Sequence, residues 1–168
     1  MSSNLRKWFG IIIAIICYYV IHEGSHLLVA LILGVFQKVH FMALGVQVVI
    51  NASSISNLQL AVFNIAGSVS TFIVAYVLVL LRGRILLFHS KLLKAACYYT
   101  TLGLMLIDPI YLSILCRFFG GGDMNGIILF GIPEIVARLM YALLGIINTF
   151  VLIKYVYPAY KQKNFKKA

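Results

Sequence analysis

Residues 8–36 read WFGIIIAIICYYVIHEGSHLLVALILGVF. About 20 apolar residues are enough to cross a hydrocarbon core, and this run exceeds that. Arg6 and Lys7 precede it, as in a secretory leader. An h-region is shorter, however, and no small-residue cleavage site follows, so the run is expected to be a retained spanning helix. Three more runs qualify, over residues 58–81, 92–116 and 133–157. The fold expected is an all-α membrane protein of one domain, residues 1–168. It is a bundle of about four transmembrane helices with a basic tail over 158–168. Residues 39–50 (VHFMALGVQVVI) are rich in β-branched side chains and form a strand-like interfacial segment after the first helix. The polar turn at 51–57 leads into the second helix.

Composition supports this class. Apolar residues make up 62% of the 168 and charged residues 11%, and mean hydropathy is +1.02. A soluble domain of this length cannot hide so much apolar surface, and disorder needs the opposite balance. The net charge of +10 is not a nucleic-acid footprint, because the basic residues flank the apolar runs. Their distribution sets an orientation. Eleven (Arg6, Lys7, Arg82, Arg84, Lys91, Lys94, Lys154, Lys161, Lys163, Lys166 and Lys167) fall on one side, and Lys38 and Arg117 on the other. Both termini of this multi-pass chain are therefore expected to be cytoplasmic, with the basic tail against the lipid bilayer. Cys17, Cys97 and Cys116 lie in apolar runs at spacings that suggest neither a disulfide framework nor a zinc knuckle.

Within the first run stands His22-Glu23-Gly24-Ser25-His26, an H-E-x-x-H motif. Residues i and i+4 share a helix face, so His22 and His26 can offer two imidazoles to one metal ion. Glu23 lies about 100° round the helix, free to act as a general base. Chance matches are on the order of 10⁻³ in such a chain. Ionisable groups in a spanning helix cost roughly 2.5–3.5 kcal/mol each, so they are kept by function or by strong pairing. A buried hydrogen-bonded polar cluster is the plainer reading of the same three residues.

A catalytic zinc site takes three protein ligands. Asp123, in Gly120-Gly121-Gly122-Asp123-Met124-Asn125-Gly126, is the candidate third. It is expected in a glycine-rich loop at the non-cytoplasmic surface. His26 lies about 27 Å along the helix from Trp8, toward that same surface. Asp108, before Pro109, is the alternative ligand or an ion-pair partner of Arg138, with the ion pair preferred. Glu134, four residues before Arg138, is another partner for that arginine. In the second helix, Ala66, Gly67, Ser68 and Ser70 allow close helix approach. Asn64 beside them suits an oxyanion or substrate-positioning role, or an interhelical hydrogen bond.

These residues together resemble the site-2 protease family of intramembrane zinc metalloproteases, as a minimal, core-only member. The resemblance rests on His22–His26, on Asn64-Ile65-Ala66-Gly67-Ser68, similar to the family's A-G-P stretch, and on Gly122-Asp123-Met124-Asn125-Gly126. It covers about residues 10–140. It implies one Zn²⁺ per chain held by His22, His26 and Asp123, with Glu23 as general base. The substrate would be a peptide bond in or near a transmembrane segment. Ser68 stands where the family has proline, Met124 where it has glycine, and its Asn-x-x-Pro run is absent. Well-known members open toward the cytosol, whereas the charge distribution here opens the site outward. A catalytically inactive regulator binding partner helices, and a zinc hydrolase of lipid substrates, are the alternative functions.

Overall fold

Serines set where three of the long helices begin. In the computed structural model, which describes residues 2–42, 45–119 and 122–165, the Ser2 hydroxyl caps α1 (Ser3–Ile32) by accepting the Leu5 N–H at 3.3 Å. Ser56 and Gln59 form a reciprocal capping box at the start of α2 (Asn57–Ile85). Ser90 accepts the Leu93 N–H at 3.2 Å and opens α3 (Lys91–Ile110). Ala43 and Leu44 of the strand-like segment, Gly120 and Gly121 of the triple glycine, and residues 166–168 of the tail lie outside the described residues.

The first helix ends at Ile32, four residues before the expected boundary. Gly34 takes φ +68°, and the Gly34 and Val35 N–H groups bond back to the Leu31 and Ala30 carbonyls. Glycine adopts this left-handed closure without a Cβ penalty. Val35 and Ala30 are buried together beneath the turn. The chain then forms an antiparallel hairpin of β1 (Phe36–Met42) and β2 (Gly45–Ile50), with His40 opposite Gln47. This is the strand-like segment expected after the first helix.

Pro109 lies within α3, so the Met105 carbonyl loses its helical donor. A π-helical turn follows over Tyr111–Leu115, then α4 (Cys116–Phe119). The segment expected as a loop instead contains a short helix, α5 (Gly122–Leu129). The fourth long helix starts after Pro133 as α6 (Glu134–Val151). It passes through a second π-helical turn (Leu152–Val156) into α7 (Tyr157–Phe165), so much of the expected basic tail is helical.

Four helices are long and apolar enough to cross a membrane: Asn4–Ile32, Asn57–Ile85, Lys91–Phe118 and Glu134–Lys161. Many of their large apolar side chains point outward, as with Leu80, Ile32, Trp8 and Leu139. The interior mixes large apolar side chains such as Leu104, Met105 and Leu112 with small and polar residues. Along α2 these are Ala61, Gly67, Ser68, Thr71 and Ala75, recurring at helical spacing. Helix α1 packs on α2 and α3, α5 on α2, and α3 on α6. Bilayer-spanning helices gain little from burying leucine against each other, so close packing of small residues holds them.

Candidate metal centre

The two imidazoles of α1 converge on one point against α2. His26 Nδ1 lies 2.7 Å from the Phe63 carbonyl oxygen, to which it donates as the Nδ1–H tautomer. Its Nε2 is then free of a proton. Across from both rings is Gly67. A Cβ there would lie 2.5 Å from His22 Nε2 and 2.6 Å from His26 Nε2. Only glycine leaves room for the rings to converge here, as the small-residue patch of the second helix suggested.

Helix α5 brings in the third side chain. Gly126 lies against α2 so closely that a Cβ would sit 2.6 Å from Asn64 Cβ and 2.9 Å from the Ala61 carbonyl oxygen. Asp123 is three residues earlier, on the same helix face. It lies 3.6 Å from His22 Nε2 (Oδ2) and 3.3 Å from His26 Nε2 (Oδ1). The Ser68 N–H donates to Asp123 Oδ2 at 3.2 Å, a bond that a proline at position 68 could not make. As a metal ligand the Asp123 carboxylate would be ionised.

The residues fit a metal ion. His22, His26 and Asp123 offer ligand atoms that all lie within 4.8 Å of one another. Metal–ligand bonds of about 2.0–2.2 Å in a tetrahedron set ligand atoms roughly 3.3–3.6 Å apart, and each imidazole Nε2 has one Asp123 oxygen at such a distance. His26 and Asp123 are buried.

Glu23 is half-buried and lines the same open cleft of about 800 Å³, beside Asn64 and the β2 residues Gln47 and Val48. Asn64 thus stands near the His–His–Asp group, one helical turn from Ser68.

Asp108 and Arg138 are not paired. Arg138 donates to the Ser113 and Ile114 carbonyls at 2.9 and 3.2 Å and pairs with Glu134 at 3.2 Å. Both carbonyls belong to the π-helical turn at 111–115. Asp108 instead accepts the Tyr18 hydroxyl at 2.5 Å, contacts the Thr71 hydroxyl, and lies 3.5 Å from His22 Nδ1. It faces the far nitrogen of the His22 ring, so it stands outside the ligand group.

No family model, curated protein or solved structure matches the chain. The Phe63 carbonyl, the Ser68 N–H and the close seat of Gly126 emerge only with the structure. Phe63 and Ser68 act through backbone atoms, which residue type does not report. Gly126 carries a signal, an i,i+3 spacing from Asp123, that becomes meaningful only once α5 is known to be helical.

Proposed function

We propose that this chain is an intramembrane zinc metalloprotease that hydrolyses a peptide bond in or near a transmembrane segment. The observation that carries the reading is the convergence of His22 Nε2, His26 Nε2 and the Asp123 carboxylate at the space Gly67 leaves, with Glu23 in the same cleft. Two histidines and a carboxylate are a common catalytic zinc donor set. Zinc bound there would supply the positive charge that activates water and polarises a carbonyl. Glu23 takes the proton of the attacking water and delivers it to the leaving amine. Metal binding alone needs no carboxylate at this position, so Glu23 favours an enzyme over a regulator.

Two further features suit a peptide substrate. Strand β2 has one edge with no strand partner among the described residues, and Gly45, Val46, Gln47 and Val48 line the cleft. Consecutive residues point to opposite faces, so a strand that lines a cleft with four in a row presents its edge. An unwound segment can add to that edge through main-chain hydrogen bonds. Asn64 then donates to the oxyanion of the attacked carbonyl. With both termini cytoplasmic, the cleft opens on the opposite side of the bilayer.

The test is cleavage of a panel of single-span peptides in micelles by purified, zinc-loaded protein. Cleavage by the wild type and none by Glu23→Gln supports the reading. Hydrolysis of phospholipid esters with no peptide cleaved would replace it with a lipid hydrolase. Zinc uptake with neither activity would replace it with a regulator of partner helices.

A further inference from the structure

The proposed mechanism leaves one buried carboxylate unused. Asp108 is 1% exposed, inside a helix long and apolar enough to cross a membrane. Among the described residues its ion-pair partner is His22, not a lysine or arginine. A carboxylate without a cation is expensive at that depth, and an asparagine of the same shape would accept the Tyr18 hydrogen bond at less cost. The negative charge therefore calls for a use.

His22 supplies it. The Nδ1 atom of His22 is buried and has no hydrogen bond of normal length. Asp108 Oδ1 faces it at 3.5 Å. A neutral imidazole carries one proton, and a ring that offers Nε2 to a metal must carry it on Nδ1. His26 places that proton on the Phe63 carbonyl at 2.7 Å. We propose that Asp108 is the positioning residue of the metal centre: its carboxylate takes the Nδ1–H of His22, holds that tautomer and ring plane, and sets a buried negative charge behind the metal. The proposal rests on the metal-centre reading above, but not on what the centre hydrolyses.

The surroundings of Asp108 are built for this. Tyr18 donates to Oδ1 and stacks on His22, with ring centroids 5.4 Å apart. The Thr71 hydroxyl, on α2 one turn beyond Gly67, meets Oδ2 and is shared with the Ser68 carbonyl. The carboxylate is thus fixed from α1 and α2 while its own helix, α3, carries it in. The two histidines are held unequally, one by a neutral carbonyl and one by a charge. A charged acceptor makes the ring a stronger donor to the metal.

The experiment measures Co²⁺ binding to purified, chelator-treated protein, by competition with a chromophoric chelator and by the Co²⁺ absorption bands. Asp108→Asn keeps the volume and an oxygen for the Tyr18 hydrogen bond, and replaces the charged carboxylate with a neutral amide whose NH2 meets Thr71. The expected result is about 10–100-fold weaker Co²⁺ binding, shifted bands in the residual complex, and unchanged or higher stability of the metal-free protein. Thr71→Val keeps the charge and loosens its hold, so it should weaken binding by a smaller factor. Asp108→Asn that binds Co²⁺ as the wild type does, with unshifted bands, overturns the proposal, whatever its stability. If Asp108→Asn does not fold, undiminished affinity in Thr71→Val overturns it instead. A wild type that takes up no Co²⁺ overturns this proposal and the metal-centre reading together. A wild type that binds beside an Asp108→Asn that binds equally overturns this one alone.

Discussion

Asn148 and the His22–His26–Asp123 group are both polar and both enclosed by the same apolar helices, yet their atoms are satisfied in opposite ways. Asn148 Oδ1 accepts the Tyr76 hydroxyl at 2.7 Å, and its Nδ2 donates at 2.7 Å to the Met105 carbonyl that Pro109 leaves without a helical donor. Each acceptor meets a donor, and the residue is 0% exposed. In the other group, two Nε2 atoms face a carboxylate at 3.3 and 3.6 Å. Lone pairs that converge in this way are unfavourable unless a proton or a metal ion sits among them. Burial of polar groups in a bundle is therefore no sign of chemistry by itself; convergence of lone pairs beside an open cleft is.

The contrast can be broken most severely at Gly67. Gly67→Val puts a branched side chain where both Nε2 atoms point, and the expected outcome is loss of stoichiometric metal uptake, read by metal analysis of the purified variant. Glu23→Gln should leave metal uptake intact and lower peptide hydrolysis by about 10²–10⁴-fold, measured as turnover on any peptide the wild type cleaves. Asn64→Ala should lower turnover by roughly 10²-fold, mostly in kcat, as removal of an oxyanion donor does. Asn148→Ala sharpens the comparison from its other side. It strands the Tyr76 hydroxyl and the Met105 carbonyl, so thermal stability should fall by about 1–3 kcal/mol with metal affinity unchanged. The smallest effect is expected at the hairpin entrance. There Gly34→Ala forces a side chain into φ +68°, at about 1–2 kcal/mol of stability, again without loss of metal.

Much of this architecture is legible in the residues, for identifiable reasons. Four long apolar runs announce four helices because hydropathy acts over the whole length of a span, and Val39 to Ile50 announces a hairpin through its β-branched residues. Helix ends are harder. Hydropathy continues through Leu33 and Val35, while the stop signal is the single Gly34. The helix holding Asp123 is harder still: glycine-rich GGGDMNG has a turn's composition, yet Gly122–Leu129 is helical and packs on α2. The pairing of His22 with His26 follows from spacing alone, and that of both with Asp123 from the resemblance and the depth of the first helix. Opposite charge suggests that Asp108 meets Arg138, but the Ser113 and Ile114 carbonyls and Glu134 hold the guanidinium instead. No residue pattern reports those carbonyls in advance.

The most direct test of the metal centre is zinc content per chain in detergent-purified protein never exposed to chelator, wild type beside Asp123→Ala. The account predicts about one zinc in the wild type and a sharp loss in the variant, with both proteins folded. Folded wild-type protein without zinc, or zinc retained in full without Asp123, would contradict it.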